Sequence, residues 1–321
     1  MKLLTVFLTL FLLSADGSDR VTDLVETMRR LTIAGDQPAV GHLVPVLIRE
    51  LATPHTIPHP MAALAWNQIG VYHATQGQTA EAESAYQRGI RLSEHAGTGG
   101  SELALLLLNL GELYLQSGAT PSHTEAILRR ASKLVAESFG PGASELANFL
   151  YMLGAVRMQA GHRKDARTYF ERALVVAGET RDGQVRRGII LANLGVLSAQ
   201  EGQWSQAKDT IASAVTLLEQ NLGVGHPELV PCHLNLSRIY AQLKQWDLAA
   251  AAVERARVIT ETRLGPDHGY MVAVLESSAF VLRKTGRRAE AKEQARRAKS
   301  IAAALPRATA GGTWIHLSDL R

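Results

Sequence analysis

One pattern returns seven times along this chain, at an almost constant interval. A small residue stands at Gly70, Gly111, Gly154, Gly195, Ser237 and Ala279, with Met28 in the matching place upstream, and the successive steps are 42, 41, 43, 41, 42 and 42 residues. Seven residues after each comes Gly35, Gly77, Gly118, Gly161, Gly202, Lys244 or Gly286. A unit this short cannot bury an apolar face by itself, so each copy must cover its face against the copies before and after it. The repeat therefore excludes a single deep core and favours a stacked array.

Around each marker the apolar residues fall at i, i+3, i+4 and i+7, the spacing of one helical stripe. Trp66, Ile69, Gly70 and His73 show it, as do Leu107, Leu110, Gly111 and Tyr114. Glycine inside a helix costs about 1 kcal/mol relative to alanine, so its return at the marker predicts close approach of a partner helix. The second glycine predicts a left-handed residue ending that helix, with Lys244 the exception. A second helix should follow, carrying Ala82, Tyr86 and Gly89, then in later copies Ala166, Phe170 and Ala173, or Ala207, Ile211 and Ala214. In the third copy the turn is one residue longer, and Thr120 and Pro121 read as an N-cap followed by proline in the first helical position. Breakers such as Gly140-Pro141-Gly142 and Gly265-Pro266-Asp267-His268 separate the units.

The stretches Trp66 to Tyr86 and Leu191 to Ala214 resemble the tetratricopeptide repeats: a large residue, Leu-Gly or its equivalent, an apolar residue, then Ala, a large residue and Ala. That family's usual period is about 34 residues. The longer unit here, with Leu-Gly-Val-Gly-His-Pro at Leu222 to Pro227 and Leu-Gly-Pro-Asp-His at Leu264 to His268, is similar to the kinesin-light-chain subtype. The resemblance covers residues 61 to 305 well and 20 to 53 weakly. It implies an all-α chain, a right-handed α-solenoid of about seven antiparallel helix pairs. Residues 18–60 are expected to form a diverged capping pair carrying Leu24, Met28, Leu31, Val40, Val44 and Leu47, residues 61–306 six repeats, and residues 307–321 a tail. That tail, with Thr313-Trp314-Ile315-His316-Leu317, is expected to fold back over the last apolar face.

Residues 1–17 read as a signal peptide: Lys2, an apolar run from Leu3 to Leu13, and Ala15-Asp16-Gly17 as a cleavage site. The run is too short to span a bilayer, which takes about 17 to 25 residues. The expectation is an exported chain, periplasmic or secreted, with no transmembrane span after cleavage. Cys232 is the only cysteine, which rules out a disulfide within the chain and reads as a small buried hydrophobe. The formal charge of +4 is uneven, because residues 272–307 carry nine basic side chains against three acidic ones. This basic end suits a solvated cap or an anion-binding surface; nucleic acid is not the expected partner of an exported chain.

In such an array the first helices would line the concave side. Two residues before each marker stand Gln68, Asn109, Met152, Asn193, Asn235 and Ser277, and five after it Thr75, Gln116, Gln159, Gln200, Gln242 and Lys284. Seven residues are close to two turns, so both sets point the same way. Amides donate and accept, which suits the backbone of an extended peptide, and the resemblance implies that role for Asn109, Asn193 and Asn235. Those amides would equally serve to tie neighbouring helices together. Leu108, Tyr151, Met152, Met158 and Phe280 would add apolar anchors, and Glu112, Arg238, Glu276 and Arg283 charge. The central copies lack the lysines and arginines that the family's carboxylate clamp uses, which argues against capture of a free C-terminus.

No nucleophile elbow, zinc-protease helix motif, phosphate loop or paired-cysteine site occurs in the sequence. Gly97-Thr98-Gly99-Gly100 follows no strand and reads as a loop; His55 and His59 share a Pro-rich linker. No cofactor or metal is implied. The expected function is that of a non-catalytic scaffold holding a peptide or protein segment. The alternative is an exported assembly subunit that uses its convex face, basic last repeat or tail, with self-association left open.

Overall fold

The computed structural model describes residues 17–52, 57–96 and 100–305. Residues 1–16, on which the signal-peptide expectation falls, residues 53–56 with His55, residues 97–99 and the tail from 306 lie outside the described residues. Among those described, the chain forms fourteen α-helices and no strand. They are α1 (Gly17–Ala34), α2 (Gln37–Ala52), α3 (His59–Thr75), α4 (Thr79–Ala96), α5 (Ser101–Ser117), α6 (Pro121–Phe139) and α7 (Leu146–Gln159), followed by α8 (Arg163–Val176), α9 (Arg181–Gln200), α10 (Trp204–Leu222), α11 (Leu229–Gln242), α12 (Trp246–Ile259), α13 (Gly269–Lys284) and α14 (Arg288–Ala304). A π-helical turn, Thr260–Leu264, extends α12. The helices pair as α1/α2 through α13/α14 across turns of two or three residues, which makes an all-α solenoid of seven pairs.

The marker residues are where the paired helices meet. A β-carbon on Gly154 would stand 2.6 Å from the Phe170 ring, and one on Gly111 2.5 Å from Leu128. Gly70 faces Tyr86 and Gly195 faces Ile211 in the same manner. Phe170, Leu128 and Ile211 are all fully buried, so the missing side chain on the first helix makes the room that a large one on the second fills. Where the marker grows to Ser237 or Ala279, the matching place on the second helix shrinks to Val253 or Ala295.

The turn after each first helix is set by a left-handed residue, with φ of 71° at Gly77, 74° at Gly118, 80° at Gly161 and 78° at Gly202. Lys244 adopts the same conformation, φ 59°, although it carries a side chain. The backbone of the turn is thus kept where the glycine is lost. Thr120 stands at the N-cap of α6 with Pro121 behind it, but its hydroxyl caps nothing; its carbonyl instead accepts from Thr124. Side-chain caps are made at α9, where Thr180 accepts from the Gly183 amide at 3.1 Å, and at α13, where the His268 ring accepts from the Tyr270 amide at 3.1 Å.

The helices group into two compact units divided between Pro141 and Gly142. The division falls within Gly140-Pro141-Gly142, one of the breakers in the sequence. In the first unit Val21, Leu24, Met28, Val40, Val44 and Leu47 of α1 and α2 form one core with Ala65, Ile69 and Ala85. In the second, one core runs from α9 to α14 and includes Ile211, Leu218, Leu234, Ile239, Met271 and Ile301. No described helix is long and apolar enough to cross a membrane.

Candidate functional site

A helix advances about 100° per residue, so the place two before the marker lies about 200° from the contact with the second helix. The first helices therefore turn Gln68, Asn109, Met152, Asn193, Asn235 and Ser277 away from their pairs. What surrounds these side chains differs between the two units.

In the first unit Gln68 and Asn109 are half-buried. Asn109 donates from Nδ2 to Oδ1 of Asn67 at 2.8 Å, joining α5 to α3. Asn67 is buried, 3% exposed, and it stands three residues before its marker rather than two, a register the marker alignment passes over. The step from Gly70 to Gly111 is 41, whereas the two asparagines are 42 apart; an alignment on the asparagines would have found the pair. Gln116 is exposed and donates to Glu112 on its own helix at 3.2 Å. Glu112 is open to solvent at its edge, yet the protein around it displaces enough water to push its carboxyl above the ordinary carboxylate range.

In the second unit the same register is closed. Met152, Asn193, Asn235 and Ser277 are 7%, 4%, 2% and 2% exposed. Asn193 donates to the Ile189 carbonyl one turn earlier at 2.9 Å, while its Oδ1 has no hydrogen-bond partner. Arg238, one turn beyond Asn235, is also buried. Helix α11 is buried without interruption from Cys232 to Ile239. The place five after the marker stays outside: Gln159 and Gln242 are exposed, and Gln200 is half-buried and accepts from Arg163 at 3.2 Å. Tyr151 is half-buried, its ring 5.9 Å from that of Phe170. The two sets point the same way, as the helical repeat requires, but in this unit they differ in depth.

Met158, Ile189, Ala192 and Phe280 are half-buried and pack on the core of this unit, and Glu276 and Arg283 are exposed. Burial pushes the Cys232 thiol up to about 12 and, together with Arg255, holds His233 down at about 4. Both shifts favour the neutral form, as burial does. Asn235 also opens Asn235-Leu236-Ser237, a formal glycosylation sequon, and its side chain is buried. On the basic last helix Arg287 pairs with Glu290 and Arg296 with Glu293, while Arg288, Lys292 and Lys299 are exposed. Among the described residues no group of three or more His, Cys, Asp or Glu converges as a metal site would.

Sequence profiles described as tetratricopeptide repeats match residues 63–95 and 234–270. Among solved structures, the chain is similar in fold to NprR in complex with its cognate peptide NprX, with TM-score 0.68 and 13% identity over 91% of this chain and 79% of that one. The apo form of the quorum sensor NprR from B. thuringiensis gives TM-score 0.65 and 13% identity over 90% and 89%. A chain of the APC/C hetero-tetramer Cut9-Hcn1 gives 0.65 and 16% over 88% of this chain. This chain spans 46% of that one's length. At these identities the likeness is one of fold. No curated protein matches the sequence.

Proposed function

We propose that this chain, two stretches of which match tetratricopeptide-repeat models, is a non-catalytic scaffold holding a peptide or protein segment on the concave side of its first helices. The observation that carries the reading is the buried amide register of the second unit. Asn193 and Asn235 are placed on the side of their helices opposite the pair contact, which packing between the paired helices does not require. Polar groups kept where apolar ones would fill space as well are suited to a ligand backbone. Half-buried Met158, Ile189 and Phe280 are apolar side chains of the kind found as anchors at interfaces. NprR, similar in fold, is recorded with a bound peptide, which supports the same use here.

The reading extends to an exported scaffold, supported by Lys2 and the apolar run from Leu3 to Leu13; N-terminal sequencing of the protein from its native host tests it by finding, or not finding, a start near Ser18. The groove assignment is tested by affinity capture from the native envelope with the Asn193→Ala/Asn235→Ala chain beside the unaltered one. A partner retained by the unaltered chain and lost by the variant, at equal helicity, is the expected result. Equal recovery by both chains would remove the groove assignment.

A further inference from the structure

Helix α14 is the last helix described and packs on α13, burying Ala291, Ala298 and Ile301. Turned away from these are Arg288, Lys292, Arg296 and Lys299, all exposed, which at about 100° per residue fall within about 80° of one another. They form one row, about 17 Å long at 1.5 Å per residue. Arg296 pairs with Glu293 at 2.8 Å, at the edge of the row, and Arg287 with Glu290 at 2.6 Å. Among the described residues no carboxylate pairs with Arg288, Lys292 or Lys299. Arg283 and Lys284, also exposed, end α13 just before the turn into α14 and add two cations at that end of the row.

This placement works against the helix that carries it. Like charges one turn apart repel, as at Arg288 and Lys292 and again at Lys292 and Arg296, and Arg288 in the first turn opposes the positive end of the helix dipole. A face kept only for solubility would interleave the two signs, whereas here Glu290 and Glu293 stand on the other flank. An anionic surface laid on the row offsets both costs. What meets the row has no apolar hold to use, because α14 exposes no apolar side chain larger than alanine. Exposed ion pairs alone contribute little to a protein interface, which draws its affinity from buried anchors. An anionic bilayer needs neither anchors nor matched geometry, since its headgroups attract each nearby cation separately.

We propose that the row Arg288, Lys292, Arg296 and Lys299 on α14 is a docking surface for an anionic lipid bilayer, with Arg283 and Lys284 adding to the attraction at its end. The row lies on the second helix of the last pair, apart from the first helices to which the groove is assigned. Docking and holding a segment therefore use separate surfaces.

The test is co-sedimentation of the full chain with vesicles of phosphatidylglycerol and phosphatidylcholine at about 1:2, beside vesicles of phosphatidylcholine alone. The readout is the ratio of the two partition coefficients, which removes any binding that does not depend on lipid charge. Raising the salt from about 0.05 M to about 0.5 M should cut that ratio at least about tenfold, because screening shortens the reach of the charges. At the lower salt Lys292→Glu/Lys299→Glu should also cut it at least about tenfold. Lys164→Glu/Arg172→Glu makes the same charge change at exposed sites on α8, three pairs away, and should leave the ratio within about threefold. Equal loss in both variants, at matched helicity, would reduce the effect to net charge and overturn the proposal. A ratio near unity for the unaltered chain, or one that Lys292→Glu/Lys299→Glu leaves unchanged, is equally fatal. Capture of polyglutamate by a chain that ignores anionic vesicles would give the row to an acidic protein instead. None of these outcomes touches capture through Asn193 and Asn235, so the two readings fail separately.

Discussion

Lys244 is the residue at which the repeat departs most from its own rule, since six copies put glycine there and this one holds a lysine at φ 59°. A side chain in the left-handed region costs about 1–2 kcal/mol, partly offset because glycine has more freedom to lose on folding. Lys244→Gly should therefore raise stability by about 0.5–1 kcal/mol in urea denaturation; a loss would mean that the lysine makes a contact worth more than the strain. His233 is set by burial first and Arg255 second, which hold it at about 4 against an ordinary 6.5. Between those values the unfolded chain binds the extra proton and the folded one does not, so stability falls as pH drops from 6.5 towards 4. The share of this one side chain is about 3 kcal/mol. Denaturation curves at pH 7 and pH 4.5 should differ less in His233→Leu than in the unaltered chain. The asparagines divide by the same reasoning. Asn109→Ala would strand the buried Oδ1 of Asn67, at a cost of about 1–3 kcal/mol, whereas Asn193→Ala removes an acceptor already without a partner and should cost under about 1 kcal/mol. One amide ties two helices together and the other bonds only within its own helix, a distinction no pattern of letters carries.

Between elements, the repeat works by matching a gap on one helix to a bulk on its pair. Gly154 and Phe170 make the sharpest case, because the ring is fully buried and rigid where it meets the glycine. Gly154→Ala gains helix propensity yet drives a methyl group into that ring, for a net loss of about 1–2 kcal/mol. Combined with Phe170→Val, which alone leaves a cavity, it should recover part of the loss, giving a coupling of at least about 1 kcal/mol in a double-mutant cycle. Additive effects would show that the two helices do not meet there. The amphipathic spacing made these pairs legible, since each marker and its counterpart are 16 or 17 residues apart in every copy. Thr120 was legible only as a position: it stands at the N-cap as expected, but its hydroxyl is not used, because the choice between capping and not capping depends on a side-chain torsion. His268, by contrast, caps α13 through its ring, a role that histidine's usual preferences do not announce.

At the scale of the molecule, the division within Gly140-Pro141-Gly142 predicts that residues 142–321 expressed alone unfold in one cooperative transition, seen as coincident melts by circular dichroism and tryptophan fluorescence. Non-coincident melts, or a chain without helix, would show that this unit needs more of the array than its own six-helix core and the α7/α8 pair. What the sequence determined by itself is the set of local rules: a helix pair every 42 residues, the side each helix buries, the left-handed turn, and the faces that Asn193 and Asn235 share. These follow from period and side-chain size, which are written along the chain. What only the tertiary structure decided is depth: the same register is half-open at Gln68 and Asn109 but buried at Asn193, Asn235 and Ser277. Burial is the sum of everything that surrounds a side chain in three dimensions, and residues distant in sequence contribute to it without leaving any mark on the periodicity.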